Sequence, residues 1–122
     1  MDSELTGRVI GAAIEVHKVL GPGLLESIYQ RSLAVEFQLR GIAAAAQSRV
    51  PLQYKGHVLG DDLIIDFYFP GQLVVELKAV ESLTPVHVAQ TLSYMKLSHV
   101  PLGLLINFNV PVVKDGIKRL AL

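Results

Sequence analysis

Residues Asp66–Lys78 read DFYFPGQLVVELK, and they place three charged side chains in a segment that is otherwise largely apolar. Branched and aromatic residues dominate on both sides of Pro70-Gly71, over Leu63–Phe69 and Leu73–Val80. Runs of this composition on either side of a turn sequence predict two antiparallel strands joined by a hairpin. The three charged side chains of this hairpin therefore require interactions that compensate for their charge.

The side chains of the predicted hairpin alternate between the two faces of each strand. Glu76 and Lys78 share one face of the second strand, and Asp66 shares a face of the first strand with Ile64 and Tyr68. The opposite face of the first strand is expected to carry Leu63, Ile65, Phe67 and Phe69.

Loop length decides which residues stand opposite each other across the hairpin. A three-residue loop over residues 70–72 would pair Phe69 with Leu73. That register places Asp66 directly opposite Glu76, whereas a two-residue loop would put the two carboxylates on opposite faces.

Opposed carboxylates at roughly 4.5–5.5 Å between Cβ atoms destabilise a sheet unless another group neutralises them. Lys78 supplies one positive charge from the same face. A divalent cation bound by Asp66 and Glu76 together would compensate more fully, since hard cations prefer carboxylate oxygens. The other interpretation is an ordinary solvated strand, because Glu-x-Lys alone is a common and weak motif.

Composition excludes several classes of protein. With 122 residues, the chain is most simply one domain with a real core. It has no cysteine, which excludes disulfides and thiolate chemistry. No signal peptide and no run of about 18 apolar residues is present, so a soluble, cytoplasmic protein without a membrane segment is expected. The 11 basic residues balance the 11 acidic ones, which disfavours non-specific attraction to nucleic acid but leaves a local basic patch open.

Apolar residues at helical spacing predict a first helix over about Leu5–Leu20, with Val9, Ala13 and Val16 facing the core. His17 lies at the edge of this buried face. It is expected to be a partly buried histidine with a backbone partner rather than a catalytic group.

A second helix is expected from the Gly21-Pro22-Gly23 turn to about Arg40. Its core stripe is expected to be Leu25, Ile28, Val35 and Leu39. A second row at helical spacing holds Glu26, Tyr29, Leu33 and Phe37. With Gly23 as the N-cap, Glu26 would be the third helical residue and would cap the free amides. From the residues alone, this capping role is favoured over catalysis for Glu26.

The remaining segments complete an α/β order. The sequence does not assign a structure to residues 42–47. The patterns predict a strand over Arg49–Tyr54 and a turn at Asp61-Asp62. A third helix is expected to start at Thr84-Pro85 and to run to about Leu97, with a polar row of His87, Gln90 and Tyr94. A strand is expected over Leu102–Phe108, followed by a turn at Asp115-Gly116 and the surface charges Lys118 and Arg119.

One motif makes a resemblance specific. Residues 23–29, GLLESIY, resemble the Gly-x-x-Glu-x-x-Tyr motif of the GxxExxY protein family, a branch of the PD-(D/E)XK nuclease superfamily. Further similarity covers residues 17–23, 75–79, 89–94, 104–108 and 115–119, and the likeness extends from about Leu5 to Leu120. The resemblance implies an α/β fold with a restriction-endonuclease-like core, in which a mixed sheet of about four strands is flanked by helices. Residues 1–122 would form a single nuclease-like domain.

The resemblance also implies a role for each of five residues. Asp66 would be the acid of the second core strand, and Glu76 and Lys78 the Glu-x-Lys of the third. Glu26 would be the glutamate of the first core helix, and Gln90 the glutamine of the helix after the third strand. In such nucleases the acids, here Asp66, Glu76 and Glu26, hold one or two Mg²⁺ ions, with Mn²⁺ as a substitute. The lysine positions or activates the attacking water.

One position departs from the family pattern. Ile64-Ile65 precedes Asp66, where many relatives carry a basic or small residue, and Asp61-Asp62 lies just upstream. Asp62 is therefore the alternative to Asp66 as a metal ligand.

Two functions are compatible with this sequence. The first is a Mg²⁺-dependent phosphodiesterase, a nuclease that hydrolyses DNA or RNA with a metal-activated water. The second is a non-catalytic module that retains the nuclease fold and binds nucleic acid or protein. Neutral charge and a small surface favour the second, and the complete set of acids favours the first. A homodimer that pairs the two clefts would reconcile them.

Overall fold

The computed structural model describes residues 4–122, which form three helices and five strands. In chain order these are α1 (Glu4–Leu20), α2 (Glu26–Leu39), β1 (Ala45–Tyr54), β2 (His57–Phe69), β3 (Leu73–Lys78), α3 (Pro85–Leu97), β4 (Leu102–Asn107), a short 3-10 helix (Val113–Gly116) and β5 (Ile117–Ala121). Within this part of the chain, each helix is too short or too polar to cross a bilayer.

The strands form one mixed sheet in the order β1-β2-β3-β4-β5. Only β3 and β4 run parallel, and the other neighbours are antiparallel. The predicted α/β fold is confirmed and is consistent with a restriction-endonuclease-like core. The sheet has five strands instead of about four, because residues Ile117–Ala121, for which no strand was predicted, form the edge strand β5; Lys118 and Arg119 lie in it and are exposed, as expected.

Helices α1 and α2 cover one face of the sheet, where most of the core lies. Phe37 of α2 packs edge-to-face on Phe67, with ring centroids 4.9 Å apart, and Tyr29 stacks on Phe108 at 4.6 Å. Helix α3 packs on the opposite face through Met95. Strands β3 and β4 lie between these two helical layers and are buried on both faces.

The predictions for α1 are confirmed. Val9, Ala13 and Val16 are buried, and so is His17. Nε2 of His17 lies 2.8 Å from the carbonyl oxygen of Val110, which is the expected backbone partner.

The predicted core stripe of α2 is wrong. Leu25, Val35 and Leu39 are exposed by 72%, 55% and 75%, whereas the second row, which contains Tyr29, Leu33 and Phe37, is buried. Both rows are apolar, but the second carries two aromatic side chains that bury more area in the core. Glu26 is the first residue of the buried row, so the orientation of α2 that buries this row also directs Glu26 towards the sheet.

The loop of the β2–β3 hairpin has three residues, as one of the two predicted registers required. Phe69 pairs with Leu73, and Gly71 has a φ of 73°, the left-handed conformation that glycine adopts without strain. The adjacent pairs are Tyr68 with Val74 and Phe67 with Val75. Continued by one residue, this register sets Asp66 opposite Glu76.

Strand β2 begins six residues before the predicted start at Leu63. The turn into it consists of Lys55 and Gly56, both with left-handed φ angles, between the paired residues Tyr54 and His57. Asp61-Asp62 therefore lies within the strand, and the predicted turn at this pair is wrong. The acidic pair is tolerated there because this part of β2 is exposed.

Alternation of side chains along β2 breaks at Asp66. Leu63 and Ile65 join the cluster on the α3 face, whereas Phe67 and Phe69 join the cluster on the face of α1 and α2. The prediction that all four residues share one face is wrong. Gln47, at the corresponding position of β1, has a left-handed φ of 50°, so both strands depart from regular strand geometry at this point.

Candidate functional site

Two carboxylates lie at the centre of the site, where β2 and β3 separate. The backbone amide of Asp66 donates a hydrogen bond of 2.8 Å to Oε2 of Glu76. The amide of Leu77 donates one of 2.8 Å to Oδ2 of Asp66. Regular pairing of these strands ends at Phe67 and Val75, so the side chains accept from amides that the ladder leaves free. Asp66 and Glu76 are thereby fixed side by side.

Burial places these two acids in an unfavourable environment for negative charge. Glu76 is only 5% exposed and Asp66 is half-buried. Burial, followed by the charge of Asp66, raises the pKa of Glu76 to about 8, against the opposing effects of the Asp66 amide and Lys78. Burial also raises the pKa of Asp66, which hydrogen bonds from Leu77 and Gln47 partly offset. The pair carries more negative charge than its protein surroundings neutralise.

Lys78 supplies positive charge that acts on the pair. It is half-buried on β3, two residues after Glu76, and its charge opposes the raised pKa of both Asp66 and Glu76. Its carbonyl oxygen accepts from the amide of Phe108 at 2.9 Å. The buried side chain of Asn107 bonds to the amide and carbonyl of Val80 at 3.1 and 3.0 Å. Both contacts fix the end of β3, from which Lys78 projects.

Glu26 stands at the first position of α2. The N-cap is Leu25, which makes no side-chain capping bond, so the predicted cap at Gly23 with Glu26 in the third position is wrong. Gly23 has a φ of 95°, outside the extended region that an N-cap usually adopts. Burial, then the charge of Asp66, raises the pKa of Glu26, and Lys78 opposes the change. Glu26 is therefore electrostatically coupled to both strand residues.

The remainder of the GLLESIY motif explains how Glu26 is positioned. The hydroxyl of Tyr29 donates to the carbonyl of Gly21 at 2.5 Å and accepts from the amide of Leu24 at 3.2 Å. Tyr29 itself is fully buried and stacks on Phe108. Tyr29 therefore anchors the loop before α2 to the core. Because Glu26 lies three residues before Tyr29, at the start of the same helix, this contact also positions Glu26.

Helix α3 brings Tyr94 within electrostatic reach of Glu76, and Gln90 contacts Tyr94. Nε2 of Gln90 donates to the hydroxyl oxygen of Tyr94 at 3.1 Å. Burial, then the charge of Glu76, raises the pKa of Tyr94, so the phenol stays protonated. His87, the third member of the predicted polar row, instead forms a capping box with Thr84. The predicted N-cap at Thr84 is confirmed.

One residue at the site was missed by the sequence reasoning. Nε2 of Gln47 donates to Oδ1 of Asp66 at 3.2 Å from the neighbouring strand. Gln47 ends a stretch, residues 42–47, to which the sequence assigned no structure. The glutamine carries no local signal for a left-handed backbone, and its proximity to Asp66 depends on strand pairing.

Asp62, the alternative ligand, is not brought to this group. It lies four residues before Asp66 on the same strand, a separation of roughly 13 Å at about 3.3 Å per residue. It pairs with Pro51 across the ribbon, and its carboxylate is 3.8 Å from Arg49.

The donor set suits a hard divalent cation. Within residues 4–122, no group of three or more His, Asp or Glu side chains is placed so that it could hold a metal ion. Asp66 and Glu76 nevertheless offer oxygen ligands with excess negative charge. Mg²⁺ is commonly bound by one or two carboxylates, with waters and substrate phosphates completing the shell. The residues therefore fit a cation shared with a phosphorylated substrate.

The chain matches a known protein family. The family model of the PD-(D/E)XK nuclease superfamily matches residues 3–120. Neither a curated protein nor a solved structure matches the chain. Nucleases of this superfamily are generally dependent on divalent metals and act on nucleic acid, and the superfamily assignment suggests nuclease activity. Because the match spans nearly all of the sequence, the chain belongs to the PD-(D/E)XK nuclease superfamily.

Proposed function

We propose that this protein is a nuclease of the GxxExxY branch, which hydrolyses phosphodiester bonds of DNA or RNA with the help of Mg²⁺ or Mn²⁺. We further propose that residues 1–122 form one nuclease-like domain and that the protein acts in the cytoplasm. The observation that carries the proposal is the pair of hydrogen bonds between Asp66, Leu77 and Glu76, which fixes the buried carboxylate of Glu76 and the half-buried carboxylate of Asp66 near Lys78. The negative charge of this pair destabilises the protein unless a cation or a proton neutralises it.

Asp66 and Glu76 would hold the cation, with Glu26 as a further oxygen ligand from α2. When bound, a divalent cation polarises the phosphoryl oxygen and lowers the pKa of a bound water. The two strand carboxylates are held by backbone amides, so they need little rearrangement to bind it. Glu26 is exposed and can adjust its side chain as substrate enters.

Lys78 would orient the attacking water and stabilise the negative charge that develops on the phosphate. Its ammonium group carries three hydrogen-bond donors on a flexible chain, and the end of β3 is held in place. Tyr94, on which the charge of Glu76 acts, and Gln90, which donates to the Tyr94 hydroxyl, would supply neutral donors to a phosphate oxygen or a water. These residues together provide a charge-stabilising environment for in-line hydrolysis.

The proposal is tested with end-labelled single- and double-stranded DNA and RNA of the same length. Each is incubated with the full chain in Mg²⁺, in Mn²⁺ and in EDTA. Cleavage is expected only with a cation, and Lys78→Met is expected to abolish it without removing cation binding. Absence of cleavage of all four substrates in both metals, together with no heat of Mn²⁺ binding, would overturn the proposal.

A non-catalytic binding module is the second candidate, and the balanced charge favours it. A neutral domain of 122 residues has little electrostatic attraction for a duplex. Binding of a labelled duplex without cleavage in either metal would support this function. Light scattering tests whether a homodimer enlarges the surface, with a mass of twice 13.3 kDa expected for the dimer.

A further inference from the structure

Both oxygens of the Asp66 carboxylate have hydrogen-bond donors, and these come from different strands. Oδ2 accepts from the amide of Leu77 on β3 at 2.8 Å, and Oδ1 accepts from Nε2 of Gln47 on β1 at 3.2 Å. Hydrogen bonds to both oxygens restrict rotation of the carboxylate about its terminal bond. They therefore favour one orientation of the lone pairs that the two donors leave free.

The backbone of β1 is distorted at the residue that makes this contact. Gln47 has a φ of 50°, whereas Ala46 pairs with Phe67 and Ser48 with Ile65 in one unbroken register. A left-handed conformation is disfavoured for residues with a Cβ atom. The distortion is thus confined to the residue beside Asp66, at the point where the side chains of β2 change faces.

Glutamine has the right chemistry for this position. Its amide donates a hydrogen bond to a carboxylate without adding positive charge, so it orients Asp66 and leaves the negative charge available to a cation. A lysine or arginine here would form an ion pair and compete with the metal. Residues that hydrogen-bond to metal ligands orient those ligands and tune metal affinity.

We propose that Gln47 is a positioning residue, which holds the Asp66 carboxylate in the orientation that binds a divalent cation. This inference rests on the proposed function, since it assigns Gln47 a part in the same metal site. Gln47 does not touch substrate or cation in this account; it acts through Asp66.

Two substitutions distinguish the effect of the Gln47 side-chain amide from the effect of the left-handed backbone conformation. Gln47→Gly removes the side chain and relieves the left-handed conformation, and Gln47→Ala removes the amide but keeps the conformation. The control is His99→Gly, because His99 is another exposed residue with a left-handed φ, 59°, and lies outside the site. Mn²⁺ affinity is measured by calorimetry on the full chain, and the free energy of unfolding by denaturant in EDTA.

Both Gln47 variants are expected to bind Mn²⁺ about tenfold more weakly than the wild type, whereas His99→Gly leaves the affinity unchanged. Gln47→Gly is expected to be as stable as the wild type or more stable, so lost affinity cannot be ascribed to unfolding. Wild-type affinity in Gln47→Gly would overturn the role of Gln47 while leaving the proposed function intact. If the wild type itself binds no Mn²⁺, the proposed function fails, and this inference fails with it.

Discussion

Asp66 and Glu76 are linked by a backbone amide and not only by proximity, because the amide of Asp66 donates directly to Oε2 of Glu76 at 2.8 Å. The carboxylate of Asp66 in turn accepts from Leu77, the residue after Glu76. Each acid therefore replaces a rung of the strand ladder with a side-chain contact. The fold holds the two negative charges together, and their position follows from the hairpin register.

This arrangement makes stability depend on pH when no cation is present. The pKa of Glu76 is raised from 4.5 to about 8, so the folded state binds a proton more tightly than the unfolded state does. The resulting stabilisation is complete below about pH 4.5 and is lost as pH rises through about 8. Denaturant unfolding in EDTA is expected to give a free energy that falls over this range by a few kcal/mol.

Glu76→Gln is the matching variant for the pH experiment. Its amide oxygen can still accept from Asp66, but it has no proton to lose, so most of the decline should disappear. Glu81→Gln, at an exposed acid, should retain the wild-type profile. A wild-type free energy that does not change between pH 5 and pH 8 in EDTA would contradict the raised pKa of Glu76.

Asp66→Asn is expected to reduce cleavage by at least about a hundredfold, because it removes the charge of a proposed metal ligand. Loss of a ligand should reduce activity more than loss of a residue that only hydrogen-bonds to a ligand. Asp62→Asn is the control from the same strand, and it should change the rate by less than about twofold. Initial rates at saturating Mg²⁺ measure both effects. The reverse order of sensitivity would identify Asp62 as the ligand instead.

Tyr29→Phe tests the link between the loop before α2 and the core. The substitution leaves the Gly21 carbonyl and the Leu24 amide without the hydroxyl, so we expect a loss of about 1–3 kcal/mol in the free energy of unfolding. Tyr54 is 62% exposed, so removal of its hydroxyl in Tyr54→Phe should cost almost nothing. Equal stability of the two variants would show that the Tyr29 hydroxyl does not stabilise the loop.

The hairpin could be predicted from sequence because its signals are local. Pro70-Gly71 separates two branched runs, and three-residue loops are one of few standard hairpin lengths. The face of α2 could not be predicted, since two apolar rows compete and only packing on Phe67 and Phe108 decides between them. Of the site, the family motifs indicated Glu26, Asp66, Glu76, Lys78 and Gln90. Gln47 remained hidden because its contact depends on pairing between β1 and β2.

The most direct test of the central claim, that Asp66 and Glu76 together hold a divalent cation, is a crystal of the wild-type protein soaked in Mn²⁺ and measured for anomalous scattering. We expect an anomalous peak within coordination distance, about 2.0–2.3 Å, of carboxylate oxygens of both residues. The same soak of Glu76→Gln should give a much weaker peak. A wild-type crystal with no peak between these two carboxylates at saturating Mn²⁺ would contradict the account.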